Sequence, residues 1–307
     1  MHNFIANTRY SVESLSQNHI WRNIFPFSLF IALTSAIAGD PEASSVHLQY
    51  HFRIGQKISM RVEHRAMTDT TIAGSAQLLE TATDSTKIWT VTDVDSAGNA
   101  TVLHSVENVT MTSHSTDRAE VRWSSHDGKQ PPPGYEAVVA SLGVPLSKLV
   151  IDPHGRILDR QQLVPSQPSN TGDLMVVPLP EEPVPIGHVW NVPQEVLVEV
   201  ENGPRKVVRT RLRYELENMN DGVATIRVDT TVLTPMDDPR IEARLIERIW
   251  DGTILFDIQR GCVLHRSTQM DRRVVGFNGP QSSLRYKARL EEQLNEPTRT
   301  AVKPQKP

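Results

Sequence analysis

The sequence predicts a mainly β protein: two tandem, related antiparallel sheet units, half-barrel or sandwich, with one short helix inserted in the first. Three observations predict it. Period-two alternation of apolar and polar residues recurs along the chain, which is the spacing of a half-buried strand. Glycines fall between the alternating runs, where a tight turn needs positive φ. A hairpin-like motif also occurs twice, as LVIDPHGRILDR from Leu149 to Arg160 and as TILFDIQRGCVLHR from Thr253 to Arg266. In each copy an apolar run ends in Asp, a polar turn closes on Gly155 or Gly261, and an apolar pair follows. Six structural turns are expected in matching order: Gly55 with Gly187, Gly98 with Gly222, and Gly155 with Gly261. Their offsets, 187 − 55 = 132, 222 − 98 = 124 and 261 − 155 = 106, shrink along the chain, so the first unit holds the insertion.

The elements follow in order. Leu48, Tyr50 and Phe52 alternate with polar neighbours and predict a first strand, paired as a hairpin through Gly55-Gln56 with a second run of Ile58, Met60 and Val62. Residues 66–84 are Thr- and Ala-rich around Gly74 and fit strand or loop. Lys87–Val94 resumes the alternation, and Ser96-Ala97-Gly98-Asn99 turns the chain. Residues 113–134 are polar, end in Pro131-Pro132-Pro133-Gly134 and predict a surface loop. A short helix is expected at 135–142, with Glu136 near its positive end, Gly143 as its stop and Pro145 beyond. Six prolines between Pro165 and Pro185 remove ladder donors and fix φ, so a linker is expected at 165–185. The second unit, 186–290, restarts with IGHVWNV and a hairpin turning at Asn202-Gly203-Pro204. Leu284, Tyr286, Ala288 and Leu290 alternate with Arg285, Lys287 and Arg289, a solvated face that suits an edge strand. A flexible tail is expected from 291 to 307.

At its start the chain carries an uncharged run of 15 residues, Ile24–Ala38, behind Arg22, ending in Ala36-Ile37-Ala38. These are the parts of a secretory signal, so residues 1–38 are expected to be a cleaved leader and 39–47 a linker to the first unit at 48–164. Localisation is then extracytoplasmic, periplasmic or envelope, with no stable membrane span after cleavage. A formal charge of −4 lacks the basic excess of a nucleic-acid binder. One cysteine, Cys262, excludes an internal disulfide.

No catalytic, cofactor-binding or metal-binding residues are assigned from the sequence. It lacks GxSxG, SxxK, HExxH, CxxC and phosphate-cradling glycine loops. Cys262 and His265 stand beside a turn, but residues three apart on a strand face opposite sides unless a bulge intervenes, and the first copy has Arg156 where Cys262 stands. His47 and His51, if on a strand, lie too far apart to share an ion. Asp93–Asn99 has calcium-loop traits but His104 where the closing Glu belongs, and it reads as a turn. The pairs Asp237-Asp238 and Glu181-Glu182 precede prolines and read as loop solvation.

The runs YHFRIGQKISMRVEHR (Tyr50–Arg65), VPIGHVW and FDIQRG resemble those of exported, uncharacterised planctomycete-type bacterial proteins and, more loosely, exported antiparallel-sheet (half-barrel) carriers of apolar ligands. The resemblance implies an extracytoplasmic β protein and transfers no catalytic residue. The expected function is a non-enzymatic binding or scaffold protein for an apolar ligand or an envelope protein partner. The alternative is an envelope-polymer hydrolase whose site the fold assembles from dispersed residues.

Overall fold

The structure is a computed structural model that describes residues 45–164, 176–199 and 205–295. The leader, most of the 39–47 linker, residues 165–175 of the Pro-rich stretch, the Asn202-Gly203-Pro204 turn and the tail beyond Asn295 lie outside those residues. Among the described residues no helix is long and apolar enough to cross a membrane.

Among the described residues twelve strands make one antiparallel sheet. The first meander is β1 (Lys57–Ile72), β2 (Ser75–Val94), β3 (Ala100–Ser115), β4 (Arg118–Ser124), β5 (Pro145–Ile151) and β6 (Ile157–Gln162). The second is β7 (Val189–Glu199), β8 (Arg205–Asn220), β9 (Val223–Val232), β10 (Asp251–Asp257), β11 (Cys262–Val275) and β12 (Ser283–Leu294). Their order across the sheet is β6-β5-β3-β2-β1-β12-β11-β10-β9-β8-β7, with β4 beside β3. The meanders therefore share one sheet, joined where β1 pairs with β12, and the chain does not divide into two sheets. The six glycines occupy matching places: Gly55 and Gly187 before β1 and β7, Gly98 and Gly222 in the β2–β3 and β8–β9 turns, and Gly155 and Gly261 in the β5–β6 and β10–β11 turns, all with positive φ.

Several elements depart from the sequence reading. β12 is central, not an edge, and runs to Leu294 instead of fraying at residue 291; its Arg285, Lys287 and Arg289 lie on the solvated face. β4 interrupts the expected 113–134 loop because Trp123 and Val121 reach across to Met111 and Ser113 of β3. α1 (Glu136–Ser141) forms within the expected 135–142 helix. A second helix, α2 (Pro239–Leu245), continued by a 3-10 turn Ile246–Arg248, sits where Asp237-Asp238 read as a solvated loop. Asp238 accepts the Arg240 N–H as an N-cap, and Pro239 at the first helical position loses no hydrogen bond. Arg240 also pairs with Asp238 and holds its carboxyl below the usual range.

Burial tells the two faces apart. Val91, Val102 and Ile151 of the first meander and Leu216, Ile226, Ile254 and Phe256 of the second are fully buried in one cluster, so the sheet curls around a shared core. The opposite face carries the ion pairs Arg65–Asp84, Arg213–Glu215 and Arg285–Asp271. Water screens such pairs and they add little, so the curled apolar face dominates stability.

Two straps close that inner face. The 46–54 segment, expected to pair as a strand with β1, crosses the core instead, burying Leu48 and Tyr50. Tyr50 N donates to Pro153 O at 2.8 Å and His51 N to Gly261 O at 3.1 Å. The 176–184 stretch buries Val176, Val177, Leu179 and Val184 and pairs with the first strap through Val46. Tyr50 Oη accepts the Val177 N–H at 2.7 Å, and Leu179 N donates to His154 O at 2.7 Å. Prolines keep this stretch out of the sheet, and its apolar residues fill the core. The straps also explain why the two repeated turns need glycine beyond φ. A Cβ on Gly155 would strike Val177 O and the Tyr50 ring, and one on Gly261 would strike the backbone of His51 and Gln49.

Candidate functional site

Each meander inserts a helix between its third and fourth aligned strands, α1 before β5 and α2 before β10. The insertions are seated differently. α2 buries Ile241 and Leu245, followed by Ile246, and packs with Val196, Val198 and Val208. α1 has no capping side chain and buries no residue. Its far end is tied to β3, where Gly143 N donates to Val106 O at 2.8 Å.

Between α1 and β4 lies a groove of about 300 Å³ lined by Trp123, Ser125, Lys129, Pro131, Val139 and Leu142, with Gly128 and Gln130. Its wall is built locally. Trp123, 5% exposed at the end of β4, donates its indole N–H to Lys129 O at 3.2 Å and meets the Tyr135 ring edge-on at 6.1 Å. That bond pins the loop after β4. Three prolines then stiffen the approach to α1. Val139 is 38% exposed and turns an apolar side chain into the groove instead of into a core. The lining contains no His, Cys, Asp or Glu; its ionisable group is Lys129.

The inner face holds the chain's other unusual chemistry. Register sets Val62, Glu292, Arg266 and Ile254 side by side on neighbouring strands. Arg266 Nη1 meets Glu292 Oε2 at 3.1 Å, and Lys87 Nζ lies 3.5 Å from Glu292 Oε1, with Arg266 and Glu292 at most 2% exposed. Desolvation at this depth offsets most of the attraction, but removing one partner strands a buried charge. Burial, and then Lys87, push His104 down to about 4, and burial and Lys87 also lower His64. The adjoining cleft, lined by Tyr50, Phe52, Ile58, Met60, Trp89 and Cys262, measures about 30 Å³, room for one water. The straps have filled the space a ligand would need.

The residues weighed from sequence fall as follows. A bulge lies between Leu255 and Phe256 where β11 leaves register, the condition under which Cys262 and His265 could have met. His265 is taken instead by Glu291 at 2.8 Å, and burial pushes the Cys262 thiol up, away from the thiolate. His51 Nδ1 contacts Gln259 O, and His47 faces the His154 ring at 5.9 Å. Asp95 accepts from Ala97 N, Asn99 N and Asn99 Nδ2, so the calcium-like stretch spends its carboxylate on its own turn. No group of three metal-ligating side chains forms among the described residues. Sequence reading missed the groove because it placed Trp123 in a loop; a tryptophan flanked by Val121 and Arg122 in alternation was the available signal.

Among the described residues the fold is thus an open, curled antiparallel sheet with a filled inner face and a lateral groove. No family model and no curated protein matches the chain, so neither supports the planctomycete-type resemblance. A solved structure titled lipid–protein interactions in lipovitellin superposes on 80% of this chain with a TM-score of 0.47 and 12% identity. The superposition spans 26% of that protein's chain, about a quarter of its length.

Proposed function

We propose that the protein is an exported, non-enzymatic binding protein of the periplasm or envelope that holds a small apolar ligand in the groove beneath α1. One observation carries the reading: of two helices inserted at matching places, α2 is packed shut and α1 leaves a groove of about 300 Å³ beside a fixed tryptophan. That volume lies at the lower end of the range for small-molecule sites, and Trp123, Pro131, Val139 and Leu142 give the groove apolar wall beside the polar Ser125, Lys129 and Gln130. The lining offers no His, Asp or Glu to serve as a catalytic base, and Ser125 Oγ accepts the Val109 N–H at 3.0 Å.

Calorimetric titration of the mature chain with decanol tests this. Saturable one-to-one binding is expected, weakened at least tenfold by Val139→Glu with the melting temperature unchanged. Absence of saturable binding, or full binding by Val139→Glu, would contradict it.

A further inference from the structure

We infer that the ligand is an amphiphile with a single anionic head, a carboxylate-ended chain of about ten non-hydrogen groups, anchored by Lys129; this rests on the groove being the binding site. The size follows from the volume: about 300 Å³ holds about ten groups at roughly 30 Å³ each. Sign follows from the lining. Trp123, Pro131, Val139 and Leu142 receive an apolar chain, and the polar members are the Lys129 ammonium, the Gln130 amide and the Ser125 hydroxyl. No carboxylate in the lining competes for the ammonium. Glu136, which opens α1, spends its carboxylate on the Gly134 N–H at 2.9 Å. A cationic head would meet Lys129 with no counter-charge, and a neutral head would leave its ammonium to water and gain no ion pair.

Placement of the charge is built in. Lys129 is exposed, but its carbonyl is held by the buried Trp123 indole, so the backbone from which the side chain springs is fixed to the groove wall. The chain methylenes of Lys129 also add apolar wall while its ammonium stays at the mouth.

The probes are decanoate, decanol and decyltrimethylammonium, titrated into the wild-type mature chain, Lys129→Gln and Lys129→Arg. Decanoate is expected to bind at least threefold tighter than decanol and far tighter than the ammonium probe. Lys129→Gln should erase the preference for decanoate over decanol, and Lys129→Arg should restore it. Added salt should weaken decanoate alone. Equal binding of decanoate and decanol, or a preference that survives Lys129→Gln, overturns the anionic head and leaves the groove standing. Failure of all three probes to bind overturns the groove as well.

Discussion

α1 and α2 occupy the same place in successive meanders, yet one is a plug and the other a roof. α2 has an Asp cap, a proline at its first position, and apolar residues at Ile241 and Leu245, four apart on one helical face; it turns that face inward and buries both. α1 has Val138, Val139 and Leu142 but Tyr135 at its N-cap and a triple proline before it, so it stands off the sheet and leaves Val139 in a groove. Val138 and Leu142 at α1 are four apart as well, so the difference teaches that topology sets where an insertion enters, while capping and the segment leading into the helix set whether it seals the face beneath it.

The sharpest way to break the comparison is to truncate one side chain from each helix. Leu245→Ala should cost about 3 kcal/mol in a urea melt, because Leu245 is 0% exposed in a packed cluster, whereas Val139→Ala should cost under about 0.5 kcal/mol. Equal losses would mean that α1 is packed after all. Next in size come the turn glycines that the straps cross. Gly261→Ala should destabilise by about 2 kcal/mol, since positive φ is compounded by collision with the His51 backbone, against about 1 kcal/mol for Gly222→Ala, which has positive φ and open space. Similar values at both sites would remove the strap's role.

The smallest effect separates the meanders by pH. His104, 9% exposed on β3 between Trp89 of β2 and Ser147 of β5, sits near Lys87 and Arg160 and is held neutral when folded, while the aligned strand β9 offers Ile226 and Val228 instead. A histidine lowered from 6.5 to about 4 leaves stability intact above pH 6.5 and loses it as pH falls toward 4. At pH 5.5 the loss is about 1 kcal/mol. Hydrogen exchange at that pH should show β3 and β5 opening before β8 and β9, and His104→Asn should flatten the stability profile between pH 6.5 and 4.

Much of the fold was legible in the residues. Alternation identified parts of the long strands, leaving residues 66–84, where β1 and β2 run on, open between strand and loop, and the six glycines sit in turns, because both are local consequences of strand geometry. What was not legible is whom each segment meets. Leu48, Tyr50 and Phe52 alternate as a strand does, but that spacing serves equally for a strap lying across a sheet, and only the carbonyls of Pro153 and Gly261 decide which it is. The basic stripe of β12 said nothing about centre or edge, since either strand shows one solvated face. Glu292 looked like the start of a polar tail and is instead the most buried carboxylate described, since its partner Arg266 lies 26 residues away. The Asp238-Pro239 cap was readable and was passed over; the groove depends on Trp123 meeting Lys129 and Tyr135, contacts made by a loop whose path no periodicity encodes.

Methyl NMR of the protein during a decanol titration tests the central claim most directly, since it reads both helices at once. The account predicts saturable shifts at Val139 and Leu142 while Ile241 and Leu245 stay unmoved. Shifts centred on Ile241 and Leu245, or on Met60 and Val263 beneath the straps, would contradict it.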